Sequence, residues 1–472
     1  MRRNYKYTFL LIAIGLVGLP SCKKGYFDLN DNPNQVTTPS LASLLSTATH
    51  KTGINNYNVG GITSTYVQYL ANPSASASSD IYQELDQTGT WDALYFAMAD
   101  ISDMKDLAIK QGSSEYLGVA NVLLAYHLGL VTDLWGDAPF SEAFKPTTLT
   151  PKYDSQKDLY KTEMDLLDAA IVELNKTDAT IKLSTTNDLI HKGVRTSWLK
   201  TAYALKARLL LKVSKTTGYS AASVLAAVDK SYTSNADDAG MASFQLRNPW
   251  AQVARNNASL TLGGWLSEQL IDQLNGTTYG VFDPRIRKIT DPTVNNTFIG
   301  TVNGAGNRPP GNNTVKDENY VAISSPWTSD VAPILIVTYA ELKFIEAEAA
   351  LATDPARAYS AYLKGINANM DKLQVSATDA ERTAYITAAS VGATNLTRAL
   401  ILKEKYIATY LNPETWNDAR RFNYQYKDFT LPQNAALPTF IRRLAYPVGE
   451  RSKNGKNVPT VSSLAEKLWW DQ

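Results

Sequence analysis

Along most of this chain, apolar residues recur at the three-to-four-residue spacing of helices that bury one face. From Thr90 onward, Trp91, Leu94, Tyr95, Met98 and Ile101 fall on one stripe. Residues 114–134 (SEYLGVANVLLAYHLGLVTDL) are apolar almost all round, which predicts a buried helix. Residues 156–175 place Leu159, Leu166, Leu167, Ala170, Ile171 and Leu174 on one side, and 194–215 do the same with Trp198, Leu199, Ala202, Leu205, Leu209 and Val213. A further helix is predicted near 221–231, and a first one over 40–51 with Ser40 as its cap. Periodicity returns at 337–352, 355–373 and 395–411. Pro355 suits a helix start because its missing N–H costs nothing there. Pro413 opens a last helix carrying Trp416, Arg420 and Arg421.

Between these blocks the pattern fades. Residues 235–332 are dense in Gly, Asn and Pro, with a short helix predicted near 264–275. Long irregular stretches inside a folded chain are usually functional. This one carries Trp250, Trp265, Tyr279, Tyr320 and Trp327. The segment ELKFIEAEAALATDPARAYSAY resembles a tetratricopeptide helix hairpin, although no strict period of about 34 residues recurs.

The N-terminus changes the picture. Arg2, Arg3 and Lys6 precede an apolar run from Phe9 to Leu19. That run is shorter than the roughly 20 apolar residues a bilayer span needs, and it fits the core of a signal peptide. No later segment is read as a span. Leu19, Pro20, Ser21 and Cys22 resemble a lipobox. The chain has one Cys, so no internal disulfide is available, and acylation accounts for a lone thiol at Cys22. The polar segment that follows, KKGYFDLNDNPNQVTTPS, reads as a tether. Its Asp28, Asn30, Asp31 and Asn32 lack calcium-loop order and are read as turn formers.

Composition then removes whole classes of function. The chain has 472 residues with 46 Lys plus Arg against 45 Asp plus Glu, so it has no basic footprint for nucleic acid. Its 44% apolar content supports a large core. His50, His127 and His191 sit on separate segments without an i, i+4 pair, so no zinc site is predicted, and no cofactor motif is present. Asp133, Asp137 and Glu142 in DLWGDAPFSEAF could be taken for a glycosidase acid pair. Gly136 and Pro139 instead mark a helix end, where such acids bond turn amides while Trp135 packs. Arg420 and Arg421 are read as forks that fix a neighbouring turn, and Trp469 and Trp470 as packing back on the body.

The ordered set of Cys22, LNDNPNQVTTPS, Trp91 to Tyr95, LVTDLWGDAPFSEAF, the helix pair at 339–373, PETWNDARRF, RRLAYPVGE and KLWWD resembles the SusD/RagB family of nutrient-binding outer membrane lipoproteins. Within it, the pattern resembles the second SusD-like subfamily, over nearly the whole chain. The resemblance implies a mainly α fold, with tetratricopeptide-like helix pairs forming a right-handed superhelical scaffold under a loop-rich, irregular ligand-binding half. It implies a signal peptide at 1–21 and a SusD-like domain at 22–472. Within that domain, 22–40 is a tether, 41–232 and 337–423 hold most of the scaffold, and about 235–332 is the insert. It further implies a non-catalytic lid on a SusC-like TonB-dependent transporter, capturing oligosaccharides or, in some members, peptides.

Sugar C–H faces stack on aromatic rings, and hydroxyls need amides at the rim. Two regions offer both. One supplies Tyr57, Tyr66, Gln68, Tyr69 and Asn72; the other supplies Trp250, Asn256, Asn257, Tyr320 and Trp327.

Overall fold

The computed structural model describes residues 39–145, 147–258, 264–308 and 317–472. Cys22 and the tether as far as residue 38 lie outside the described residues. The fold described here is the unit Leu41–Gln472.

Helices form where the apolar stripes predict them, and neighbours in sequence pack as pairs. Helix α1 (Leu41–Tyr66) packs on α2 (Thr88–Gln111), α3 (Ser114–Trp135) on α4 (Gln156–Asn175), and α5 (Arg195–Lys212) on α6 (Ala221–Val228). The middle of the chain adds α7 (Pro249–Ala258), α8 (Glu268–Asn275) and α9 (Ile286–Ile289). The scaffold resumes with α10 (Tyr339–Ala350) packed on α11 (Pro355–Lys372). It ends with α12 (Ala380–Ala389), α13 (Arg398–Ala408), α14 (Glu414–Arg421) and α15 (Val448–Lys453). Side-chain caps fix many starts. Ser113 accepts from the Tyr116 amide, Ser155 from Asp158, Thr338 from Glu341, and Asp354 from Arg357 ahead of Pro355.

Sheet is minor among the described residues. Strand β1 (Leu70–Ala71) pairs antiparallel with β3 (Trp265–Leu266), and β2 (Ala239–Met241) with β4 (Ile334–Val337). The chain is therefore mainly helical, as its periodicity predicts.

Three expectations change. The helix predicted over 40–51 runs on to Tyr66, through a stretch rich in Gly and Asn. Packing drives the extension: a Cβ on Gly60 would stand 2.5 Å from the Leu411 carbonyl oxygen, so α1 lies against that backbone as only glycine allows. The irregular middle contains α7, which no apolar stripe announced. Helix α3 also has the length and hydropathy of a membrane span, with 94% of its apolar window buried inside the protein. It is the central core helix.

The turn after α3 explains its acids. The Asp137 carboxylate accepts from the Gln156 amide and that of Glu142 from Lys152. Asp133 differs from the turn reading, because its carboxylate points into the core toward Lys212. Trp135 is fully buried and donates to the Ala445 carbonyl. Arg420 donates to the carbonyls of Asp133 and Arg442, which fixes this corner.

Candidate functional site

Helix α1 separates two faces. Asn55, Asn56, Val59, Gly60, Thr63 and Tyr66 turn inward. Tyr57, Asn58, Gly61, Ile62 and Thr65 line the opposite side, at helical spacing, and form the floor of an open groove. Segment 79–90 supplies the other wall through Ser79, Leu85, Gln87 and Thr90. The groove holds about 320 Å³, within the roughly 300–1,000 Å³ usual for small-ligand sites. A Cβ built on Gly61 meets nothing within 4 Å, so the floor is open backbone at that point.

The chemistry of this groove is uniform, since its ten lining residues include no charged group. Tyr57 is half-buried, and its ring meets Trp250 edge-on at 4.8 Å. Trp250 on α7 therefore backs Tyr57 from behind and holds its orientation. Burial raises the Tyr57 hydroxyl above its ordinary pKa, so it stays a neutral donor. Gln87 makes no capping bond to α2, which leaves its amide for the groove.

The predicted residues divide by location. Tyr57 and Tyr66 meet at the groove, and Trp250 reaches it through Tyr57. Tyr66 offers little ring, being 3% exposed and packed against Trp416. Tyr69 is fully enclosed, and its hydroxyl lies within hydrogen-bond distance of both the Tyr406 carbonyl, to which it donates, and the Thr415 hydroxyl. Gln68 is buried and donates to the Thr430 carbonyl. In this structure, Tyr69 and Gln68 hold the fold together. Asn72 sits at a turn, its amide N–H donating to Asp80 and its side-chain oxygen accepting from Ser74. Trp327 is buried against Tyr410, and half-buried Tyr320 leans on Trp265; neither belongs to the groove. Asn256 is exposed on α7, and Asn257 lies in the same helix with its side chain outside the described residues.

Sequence reasoning missed Asn58, Leu85, Gln87 and Thr90. A helical reading of 52–66 would have placed Asn58 beside Tyr57.

No group of His, Cys, Asp and Glu able to hold a metal occurs among the described residues. His127 is buried, its Nδ1 against the Leu123 carbonyl, and burial lowers its pKa to about 4. His191 is lowered to about 4 by burial, against the pull of Asp188 and Asp237, and meets Thr201. Both are neutral core histidines.

The profile of a SusD-like family, described as starch-binding and associating with the outer membrane, matches residues 33–447. The chain belongs to this SusD-like family. Solved structures carry the same fold. One is a SusD/RagB family protein from Bacteroides thetaiotaomicron, with 22% identity and a TM-score of 0.73, covering 92% of this chain and 99% of that one. Another is a chitin-binding SusD homolog from Flavobacterium johnsoniae, with 20% identity and a TM-score of 0.75, covering 91% and 98%. A third is a SusD homolog from Bacteroides uniformis, with 20% identity and a TM-score of 0.73, covering 92% and 99%. No curated protein matches the chain.

Proposed function

We propose that this SusD-like protein captures neutral oligosaccharides in the α1 groove, without cleaving them, and passes them to a SusC-like TonB-dependent transporter. The observation that carries the reading is the charge-free groove, with the Tyr57 ring on one side and amides at its rim. Flat apolar contact with a ring suits a sugar face, and amides suit hydroxyls. An anionic glycan would find no cation in this lining. A starch-binding family and a chitin-binding relative of the same fold support a glycan ligand over a peptide.

Isothermal titration against malto-oligosaccharides, chito-oligosaccharides, uronic-acid oligomers and mixed peptides tests the reading. A neutral glycan binds, and Tyr57→Ala weakens it about tenfold, roughly 1.4 kcal/mol. Binding confined to peptides, or binding that Tyr57→Ala leaves untouched, defeats it.

The same proposal places the protein on the outer membrane through lipid on Cys22. Acyl chains at the N-terminus hold a folded domain at a bilayer. Metabolic labelling with a clickable fatty acid marks the wild type. Cys22→Ala loses the label and leaves the membrane fraction; membrane retention of an unlabelled Cys22→Ala protein excludes this anchor.

A further inference from the structure

The inward face of α1 closes a second space. Val59 and Thr63 wall a chamber of about 50 Å³ among buried residues, completed by α3, α4, α5 and the 412–417 segment that leads into α14. Its lining includes Asp133, Glu163, Lys212 and Glu414, all buried. Three of these satisfy one another. Lys212 Nζ donates to Asp133 Oδ2 at 2.5 Å and stands 3.3 Å from Glu414 Oε2. Asn417 Nδ2 donates to both carboxylates at 2.8 Å, and the Tyr160 hydroxyl donates to Asp133 Oδ1.

Glu163 stands apart. It is 4% exposed, and its Oε1 has no hydrogen-bond partner. Its carboxyl lies over Gly129, where a Cβ would come within 3.1 Å of Oε2. A buried polar atom left without a partner is costly. A polar cavity can relieve that cost by holding water, and one water needs about 10–15 Å³. This chamber exceeds that.

We propose that the chamber is a built hydration site, where ordered water links the Glu163 carboxyl to the Lys212–Glu414 pair. Every neighbouring element agrees with this. From α3 the group facing Glu163 is Asp133, from α5 Lys212 and Arg208, and from α14 Glu414, while α1 brings no charge. Arg208 is already forked onto Glu341 of α10. Burial first, and then the Asp133 charge, push the Glu163 pKa well above its ordinary value, with Lys212 opposing. The site therefore favours the protonated acid, which in this arrangement donates its proton to the water. For Lys212, burial opposes its charge, but Asp133 and Glu414 outweigh it and raise its pKa. The ammonium occupies the place between the two carboxylates that a bound cation would take.

A high-resolution crystal structure of the full chain, paired with infrared spectra of wild type and Glu163→Gln, tests this. The expected result is ordered water within hydrogen-bonding distance of Glu163, and a protonated-carboxyl stretch lost in Glu163→Gln. That variant keeps the water, because its amide N–H can donate where the protonated acid did. A dry chamber, an anomalous signal there after a rubidium soak, or an unchanged carboxyl stretch would overturn the proposal. Should Glu163→Gln fail to fold, the wild-type density and the rubidium soak still decide between water, cation and void.

Discussion

Asp80 is fully buried, and no cation is among its hydrogen-bond partners. Its Oδ2 accepts from the Asn72 amide at 2.8 Å and the Gly304 amide at 3.3 Å, so it ties the segment beside the groove to the 301–308 loop. Burial pushes its pKa up to about 6, while those amide bonds pull the other way. Between the ordinary value of 3.8 and about 6, the folded chain holds a proton that the unfolded chain has released. The contribution of Asp80 to stability thus falls as pH rises through that window, by about 3 kcal/mol in all, and is level above it. Asp80→Asn removes this dependence. In urea titrations, the variant matches the wild type near pH 3, below the window, and exceeds it at pH 7.5. If the variant is weaker at pH 7.5, the charged amide bonds are worth more than burial costs.

At the scale of elements, α1 carries the site, and its close approach to the Leu411 backbone depends on Gly60. Gly60→Ala forces a Cβ against a carbonyl oxygen, which cannot swing aside as a side chain can. A cost of about 1–3 kcal/mol is expected in the unfolding free energy measured by urea denaturation. Gly61→Ala next to it meets open space and gains slightly, since alanine favours helix. Equal effects from the two would show that α1 does not lie where described. This helix also shows where sequence reading stopped. Helices α4, α5, α10 and α11 were legible from apolar spacing, and α3 from an apolar run that covers it almost all round. Residues 52–66 were not, since GINNYNVGGITSTY has weak helix formers and polar residues on its buried face, and distant backbone at 335 and 411 decides the outcome. The aromatic candidates met the same obstacle. A Tyr that packs and a Tyr that stacks on sugar look alike in sequence. Tyr57, on the outward side of α1, and Tyr69, in the bend beyond the end of that helix, differ only in where the fold carries their rings.

At the scale of the whole molecule, segments far apart in sequence lock together around α14. The Arg420 guanidinium lies 3.7 Å from the centre of the Trp416 ring and 4.9 Å from that of Trp470, at the end of the chain. Arg420 also donates to the Asp133 carbonyl at the end of α3 and to the Arg442 carbonyl. Arg442 in turn donates to the Asp471 carboxylate at 2.5 Å, and Lys215 reaches the same acid from beyond α5. Trp470 and Asp471 are both fully enclosed. The last residues therefore act as a clasp over the corner where α3, α14 and the 440–446 segment meet. Trp470→Ala opens a cavity beside a buried guanidinium and is expected to cost about 3–5 kcal/mol in urea denaturation. Asp471→Asn keeps the shape but strips the partner from Arg442, and a loss of about 2–4 kcal/mol follows. The two residues share this corner, so their double variant should lose less than the separate losses combined. Additive losses would mean that Trp470 and the Arg442–Asp471 pair stabilise the chain independently, and that the clasp is two unrelated contacts.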